Sequence, residues 1–290
     1  MGVGQHYRIY RASPAPRLSV TNVTSPAPHL PAPVYNALML RIALAFLIVT
    51  ASLLPAAEPH RDAKAEEIAH SVMNAMGGEK AWYGAHFVRY DFIVDLGDKV
   101  VANRSHLWDK MTGRYRLDDN TKDGKPRVVL FNINDRKGDA YVDGKKLDGP
   151  AGAKAVKDAY GTFINDMYWL SMPWKWLDQG ANLQYVGPKT MGTDKGDVVR
   201  LTFGHVGLTP GDRYDAFVSA QSHLMTHWDY KLQSGDKGSW DWEYGDHNGL
   251  KLAKNHTSAK MSINMGDVRV LDKVDDAFLT DPKKTLAELK

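Results

Sequence analysis

The residues best placed to do chemistry are histidines and carboxylates set among aromatic strands. His223 and His227 stand four apart, Asp229 follows two further on, and His205, His247 and His256 fall in neighbouring segments. Such a set invites a metal centre or a hydrolytic site. Asp229, Asp241 and Glu243 lie beside Trp and Tyr residues, and paired carboxylates of that kind serve glycoside hydrolysis as acid and base. On a strand, however, residues four apart are separated by about 13 Å, so His223 and His227 cannot share one ion as a helical pair does. A hydrolase or metal-dependent enzyme therefore requires His205, His227, Asp229 and His256 to converge from separate strands. The chain carries no nucleophile elbow, P-loop, HExxH helix or dinucleotide fingerprint, so no cofactor is implied. With no Cys, thiolate metal sites, disulfides, a cysteine nucleophile and a lipidated N-terminal Cys are all excluded.

The rings alternating with those polar residues point to a different role. Leu224, Thr226, Trp228, Tyr230 and Leu232 interleave with His227, Asp229 and Lys231, while Trp240, Trp242 and Tyr244 interleave with Asp241 and Glu243. Period-two alternation gives each strand one wet and one aromatic face, and turns the carboxylates outward. Any single ring is explained by ordinary core packing. Together they form more concave apolar surface than two modest helices cover, and an uncovered hollow of that kind takes up an apolar ligand. The segment Met172-Pro173-Trp174-Lys175-Trp176-Leu177 presents two Trp and an adaptable Met at a helix end, as a rim or lid or as a plug, with Lys175 available for a headgroup carboxylate or phosphate. The expected ligand-binding set is Tyr90, Phe92, Met172, Trp174, Trp176, Trp228, Tyr230, Trp240, Trp242 and Tyr244.

The elements that must position these residues read as follows. Residues 1–38 hold six Pro without periodicity, as expected of a disordered stretch ahead of a start at Met39. Residues 39–57 read as a signal peptide, because Arg41 leads into the apolar run Ile42–Leu54, too short to span a bilayer, followed by Pro55-Ala56-Ala57. Four of the 37 basic residues and none of the 34 acidic ones precede Glu58. The remainder is nearly neutral, with no basic stripe, and nucleic acid is not an expected partner.

Residues 58–290 read as one domain. Asp62 is placed to cap a helix carrying Ala65, Ile68, Ala69, Val72 and Met76, which Gly77-Gly78 ends. From Phe87 the period is two, and Asp123-Gly124 and Asp143-Gly144 mark antiparallel hairpins. A helix with Tyr160, Phe163, Ile164, Met167, Tyr168 and Ser171 on one face interrupts the strands and stops before Pro173, and a second meander follows. The pattern predicts a mainly β fold with some α: an unclosed antiparallel barrel of about 11–12 strands, with helices covering its concave face.

This order, together with Ala75-Met76-Gly77-Gly78-Glu79-Lys80-Ala81-Trp82 and the Met172–Leu177 turn, resembles the LolA/LolB/LppX superfamily of periplasmic lipoprotein and lipid carriers, over roughly Asp62 to Asp281. The resemblance implies a periplasmic protein whose lidded half-barrel shelters the acyl chains of a lipid or lipoprotein and exchanges them with membrane donor and acceptor proteins. Lacking a Cys to anchor, the chain is nearer to the soluble carriers than to LolB or LppX.

Overall fold

The computed structural model describes residues 59–204 and 206–289. The expected N-terminal stretch and signal peptide, Glu58 and His205 lie outside these residues. Two short helices come first, α1 (Ala63–Ala75) and α2 (Glu79–Gly84). The first meander follows: β1 (Phe87–Leu96), β2 (Lys99–Asp109), β3 (Arg114–Asn120), β4 (Pro126–Asn132), β5 (Gly138–Val142) and β6 (Lys145–Lys146). After α3 (Gly149–Ser171) and a tight 3-10 turn (Met172–Lys175) comes the second: β7 (Ala181–Met191), β8 (Asp194–Phe203), β9 (Arg213–Ser219), β10 (Met225–Lys231), β11 (Lys237–His247), β12 (Leu250–Thr257) and β13 (Met261–Leu271). A helical turn, α4 (Ala277–Thr280), precedes the C-terminus.

All thirteen strands form one antiparallel sheet in the order β6-β5-β4-β3-β2-β1-β13-β12-β11-β10-β9-β8-β7. The first meander runs from the middle of the sheet to one edge and the second returns from the opposite edge. They meet where β1 pairs with β13, from Phe87↔Leu271 to Leu96↔Met261. The edges β6 and β7 do not pair, so the barrel is unclosed, as expected. The strand beyond the expected twelve is the two-residue β6. It sits behind an Asp143-Gly144 turn in which both residues take positive φ, 49° and 71°, as the tightest hairpins demand.

Carrying the chain from one edge to the other falls to α3, 23 residues and therefore about 34 Å long. Most of its length, from Ala155 to Met167, lays Ala155, Val156, Ala159, Phe163 and Met167 on Tyr115, Leu117, Val129, Phe131 and Ala140. Its last turn inserts Trp169 and Leu170 into the main core, beside α1, α2 and the second meander.

Three local expectations are corrected. The helix starts at Gly149 rather than near Tyr160, because its first turns present Ala and Gly instead of large apolar residues. The α-helix ends at Ser171, before Pro173 as expected, but Met172 is not pushed out of the helical region (φ −51°, ψ −41°); the 3-10 turn that follows is held by the buried Met172, Trp174 and Trp176, with the Trp176 indole donating to Met172 Sδ at 2.7 Å. Asp62 stands at the N-cap of α1 without capping it, and its carboxylate instead accepts the backbone N–H of Tyr185 at 2.9 Å, tying α1 to β7.

The opposite face of the sheet has its own cover. Phe278, Leu279, Leu286 and Leu289 of the C-terminal segment pack on Phe87 and Leu107. Buried Arg116 donates to the carbonyls of Phe278 and Asp281, each at 3.0 Å, while Asp118 holds its other side.

Candidate ligand-binding face

Alternation along β1, β10 and β11 brings the expected aromatic residues to the concave face, where they join one cluster with Met172, Trp174 and Trp176. Tyr90, Phe92, Trp228, Trp240 and Trp242 are buried, and Tyr230 and Tyr244 pack against them partly exposed. Bulges adjust the register. One between Met225 and His227 puts Met225, rather than Thr226, in the core with Trp228, and another lies between Glu243 and Tyr244.

The hollow is occupied by the protein's own side chains. Trp169 of α3 stands at its centre, with ring centroids 4.8 Å from Trp228, 5.0 Å from Trp240, 6.4 Å from Trp242 and 5.1 Å from His256. Edge-to-face and offset pairs of this kind stabilise the packed state beyond their buried area. A second ring group continues towards the 3-10 turn, where Trp82 stacks on Trp174 at 5.3 Å and meets Trp108 edge-on at 6.4 Å. Above Trp82 lies the Lys110 ammonium, 3.6 Å from the ring centroid. Burial and the nearby Lys175 charge bring its pKa down to about 8. Lys175 itself pairs with Asp178.

This oily interior contains polar atoms without partners. The indole N–H groups of Trp108, Trp174, Trp228 and Trp242 and the Tyr168 hydroxyl are buried and meet no hydrogen-bond acceptor or donor among the described residues. Each such group costs about 1–3 kcal/mol if it stays unsatisfied. His256, wholly buried against Trp242 at 4.2 Å, is driven down to a pKa of about 3 by burial and is neutral at physiological pH.

A polar chain that hydrophobic periodicity does not signal runs under α3. Asp166, fully buried, takes two bonds from Arg104 of β2, at 2.6 and 2.7 Å, and lies 3.1 Å from His106 Nε2. The other imidazole nitrogen of His106 meets Tyr115 Oη at 2.8 Å, which meets Tyr90 Oη at 3.0 Å. Burial alone would raise the Asp166 pKa, but Arg104 and His106 outweigh it and hold the carboxylate below its ordinary range. Burial lowers the His106 pKa. The signal in the sequence is instead a break in the periodicity: Asp166 falls on the apolar stripe of α3, three residues after Phe163 and four before Leu170.

The convergence required of a metal or His-centred site is absent among the described residues. His256 lies on the concave face and His227 on the other, with Asp229 and Asp241. His223 is not in a strand at all but in the turn before β10, at φ 58°. No group of three metal-ligating side chains forms among the described residues. Nor is any helix among them long and apolar enough to cross a membrane.

No protein family and no curated protein matches the chain. Among solved structures it is similar to a LolA superfamily protein from Nitrosomonas europaea (TM-score 0.43, 10% identity, covering 74% of this chain and 96% of that one). It is also similar to a DUF1329 family protein from Desulfovibrio piger (TM-score 0.41, 9% identity, 74% and 96% covered). A third is the lipoprotein LppX of Mycobacterium tuberculosis (TM-score 0.31, 10% identity, 72% and 99% covered).

Proposed function

We propose that the chain is an exported, periplasmic binding protein that shelters the acyl part of a lipid or lipidated protein in the hollow of its sheet, and that Trp169 withdraws to admit it. The observation that carries this reading is the pairing of a plug borne on a single helix with unsatisfied donors. One helix places Trp169 among the rings, and the N–H groups of Trp228 and Trp242 around it have no partner. An ester or amide carbonyl at the root of an acyl chain would accept from them where the indole of Trp169 cannot.

The energetics are compatible. Burial of an acyl chain is worth about 0.8 kcal/mol per methylene, so a chain of about 16 carbons gains on the order of 10 kcal/mol. Freeing α3 breaks a buried ion pair and unpacks Trp169, each at a cost of about 3–5 kcal/mol, so a long acyl chain offsets the movement and a short one does not. Lys110 and Lys175 lie beside the Trp82–Trp174 stack, where an anionic headgroup at the rim would compete with Asp178 for Lys175.

The test is extraction and mass spectrometry of protein purified from its own host, with titration of delipidated protein by palmitate and by a dipalmitoyl phospholipid, followed by Trp fluorescence. Bound lipid at about one per chain and a saturable fluorescence change are expected. If no lipid co-purifies, and neither wild type nor an Asp166→Asn variant responds to either titrant, the proposal is wrong.

A further inference from the structure

The strands that turn Trp228, Trp240 and Trp242 into the hollow turn their alternate residues to the other face, where a second constellation forms. His227 Nδ1 lies 2.7 Å from Asp241 Oδ1, and its Nε2 lies 3.1 Å from Ser239 Oγ. Register explains the meeting: His227 stands directly opposite Asp241, and Asp229 opposite Ser239. With Nδ1–H donated to Asp241, Nε2 can accept the serine hydroxyl, for which the Asp229 carboxylate, in contact with both Ser239 and His227, competes. This is the chain of roles from orienting carboxylate through base to nucleophile, recognised by geometry rather than sequence order. Here Ser239 is exposed and His227 is almost wholly buried. The other groups facing His227 are Asp229, whose Oδ1 lies 3.3 Å from Nε2 and whose Oδ2 lies 3.7 Å from Lys189 Nζ, and Phe217 across on β9.

Ser239 opens onto a groove of about 580 Å³. Along the groove Arg213, Lys231 and Lys237 stand directly opposite one another on three adjacent strands. Like charges placed so are destabilising. Arg213 pairs with Asp215 at 3.7 Å, and Asp215 and Asp229 also line the groove, but neither Lys231 nor Lys237 has an ion-pair partner among the described residues, so an anion bound at these two lysines relieves the row. Pairing of β11 with β12 starts only at Asp241↔Thr257. Along Lys237–Trp240 that side of β11 has no strand partner, and in an antiparallel ladder alternate backbone N–H groups point to it. They supply donors beside Ser239 for a developing oxyanion.

We propose that Ser239, His227 and Asp241 form an acyl-ester hydrolase site selective for esters bearing a negative charge. Ser239 Oγ attacks the ester carbonyl carbon while its proton passes to His227 Nε2. The tetrahedral intermediate collapses with cleavage of the carbon–oxygen bond, and His227 returns the proton to the departing alkoxide, leaving an acyl-serine and an alcohol. Water then attacks the acyl-serine, again through His227, releasing the carboxylic acid and regenerating Ser239. This activity is independent of the acyl-binding hollow, and either can fail without the other.

The full-length protein is treated with a fluorophosphonate, and the modified peptide is identified by mass spectrometry. Hydrolysis of mono(4-nitrophenyl) glutarate is compared with that of 4-nitrophenyl acetate. Expected are phosphonylation of Ser239, a fall of at least about 100-fold in hydrolysis for Ser239→Ala, and a rise in KM for the glutarate ester alone in Lys231→Gln/Lys237→Gln. Asp241→Asn, at an exposed position, keeps the test open if His227→Gln does not fold, and it too should slow hydrolysis. An unlabelled Ser239, or a Ser239→Ala variant as active as wild type, overturns the proposal.

Discussion

Asp166 and Trp169 lie three residues apart on one face of α3, so the carboxylate that pins the helix to β2 and the ring that fills the hollow belong to one rigid body. Breaking the pin and withdrawing the plug are therefore the same movement. The 3-10 turn at Met172–Lys175 is the joint at its C-terminal end.

Asp166→Asn tests that coupling. The substitution leaves Arg104 half-buried without its counter-ion and His106 without its carboxylate, and removing one partner of a buried pair costs about 3–5 kcal/mol. Urea unfolding should show a loss of about 3 kcal/mol. In the folded range, an apolar dye such as anilinonaphthalene sulfonate should bind more strongly than to wild type. A stability loss without dye uptake would mean that the latch does not gate the hollow.

Trp169→Ala separates the plug from the latch. Deleting the ring leaves a void between Trp228, Trp240 and Trp242, and Trp→Ala in a core costs about 3–5 kcal/mol. Unlike Asp166→Asn, it leaves α3 pinned. The variant should take up small apolar molecules such as benzene or short alkanols with a measurable rise in Tm, while long acyl chains gain less.

Stability should fall as the pH is lowered from neutrality, with the sign the same at three sites. His106 and His256 both have folded pKa values below the ordinary histidine range, so the unfolded chain binds protons that the folded chain refuses. Their contribution is complete above about pH 6.5 and is lost on acidification, at up to about 1.4 kcal/mol per pH unit for each, down to about pH 3 for His256. Asp166, also depressed, adds its loss below about pH 4. Urea midpoints measured from pH 7.5 to 4.5 should decline, and His256→Phe should flatten the curve. A midpoint that rises on acidification contradicts this.

Much of this was legible in sequence, for reasons that differ by element. Strict alternation in β1, β10 and β11 fixed which rings face inward, and Asp-Gly pairs marked the hairpins. Trp169 lies beside the helical stripe of Phe163, Met167 and Tyr168 rather than on it, although position 169 completes the buried side. The first half of α3 is written in Ala and Gly, whose burial leaves little hydrophobic periodicity. Bulges at Thr226 and near Tyr244 shift register by one residue, which alternation alone does not reveal. The meeting of Ser239, His227 and Asp241 depends on cross-strand register, and so do the bonds from Arg116 to a segment more than 160 residues away in sequence.

Gly77 and Gly78 end α1 for different physical reasons, and substitution should tell them apart. Both have positive φ, 114° and 89°. A Cβ at Gly77 would lie 2.2 Å from the backbone carbonyl oxygen of Gly249, next to the place where Lys251 donates to Met76 across the junction of α1 and β12. The backbone there must move. A Cβ at Gly78 meets open space, so only the backbone conformation (ψ 149°) resists it, at a cost of about 1–3 kcal/mol. Gly77→Ala should therefore lose more stability in urea than Gly78→Ala, and it should raise amide exchange at Lys251, where the contact is severed. Equal losses would show that the helix end responds to its dihedral angles alone and that the approach of β12 is not what demands a glycine.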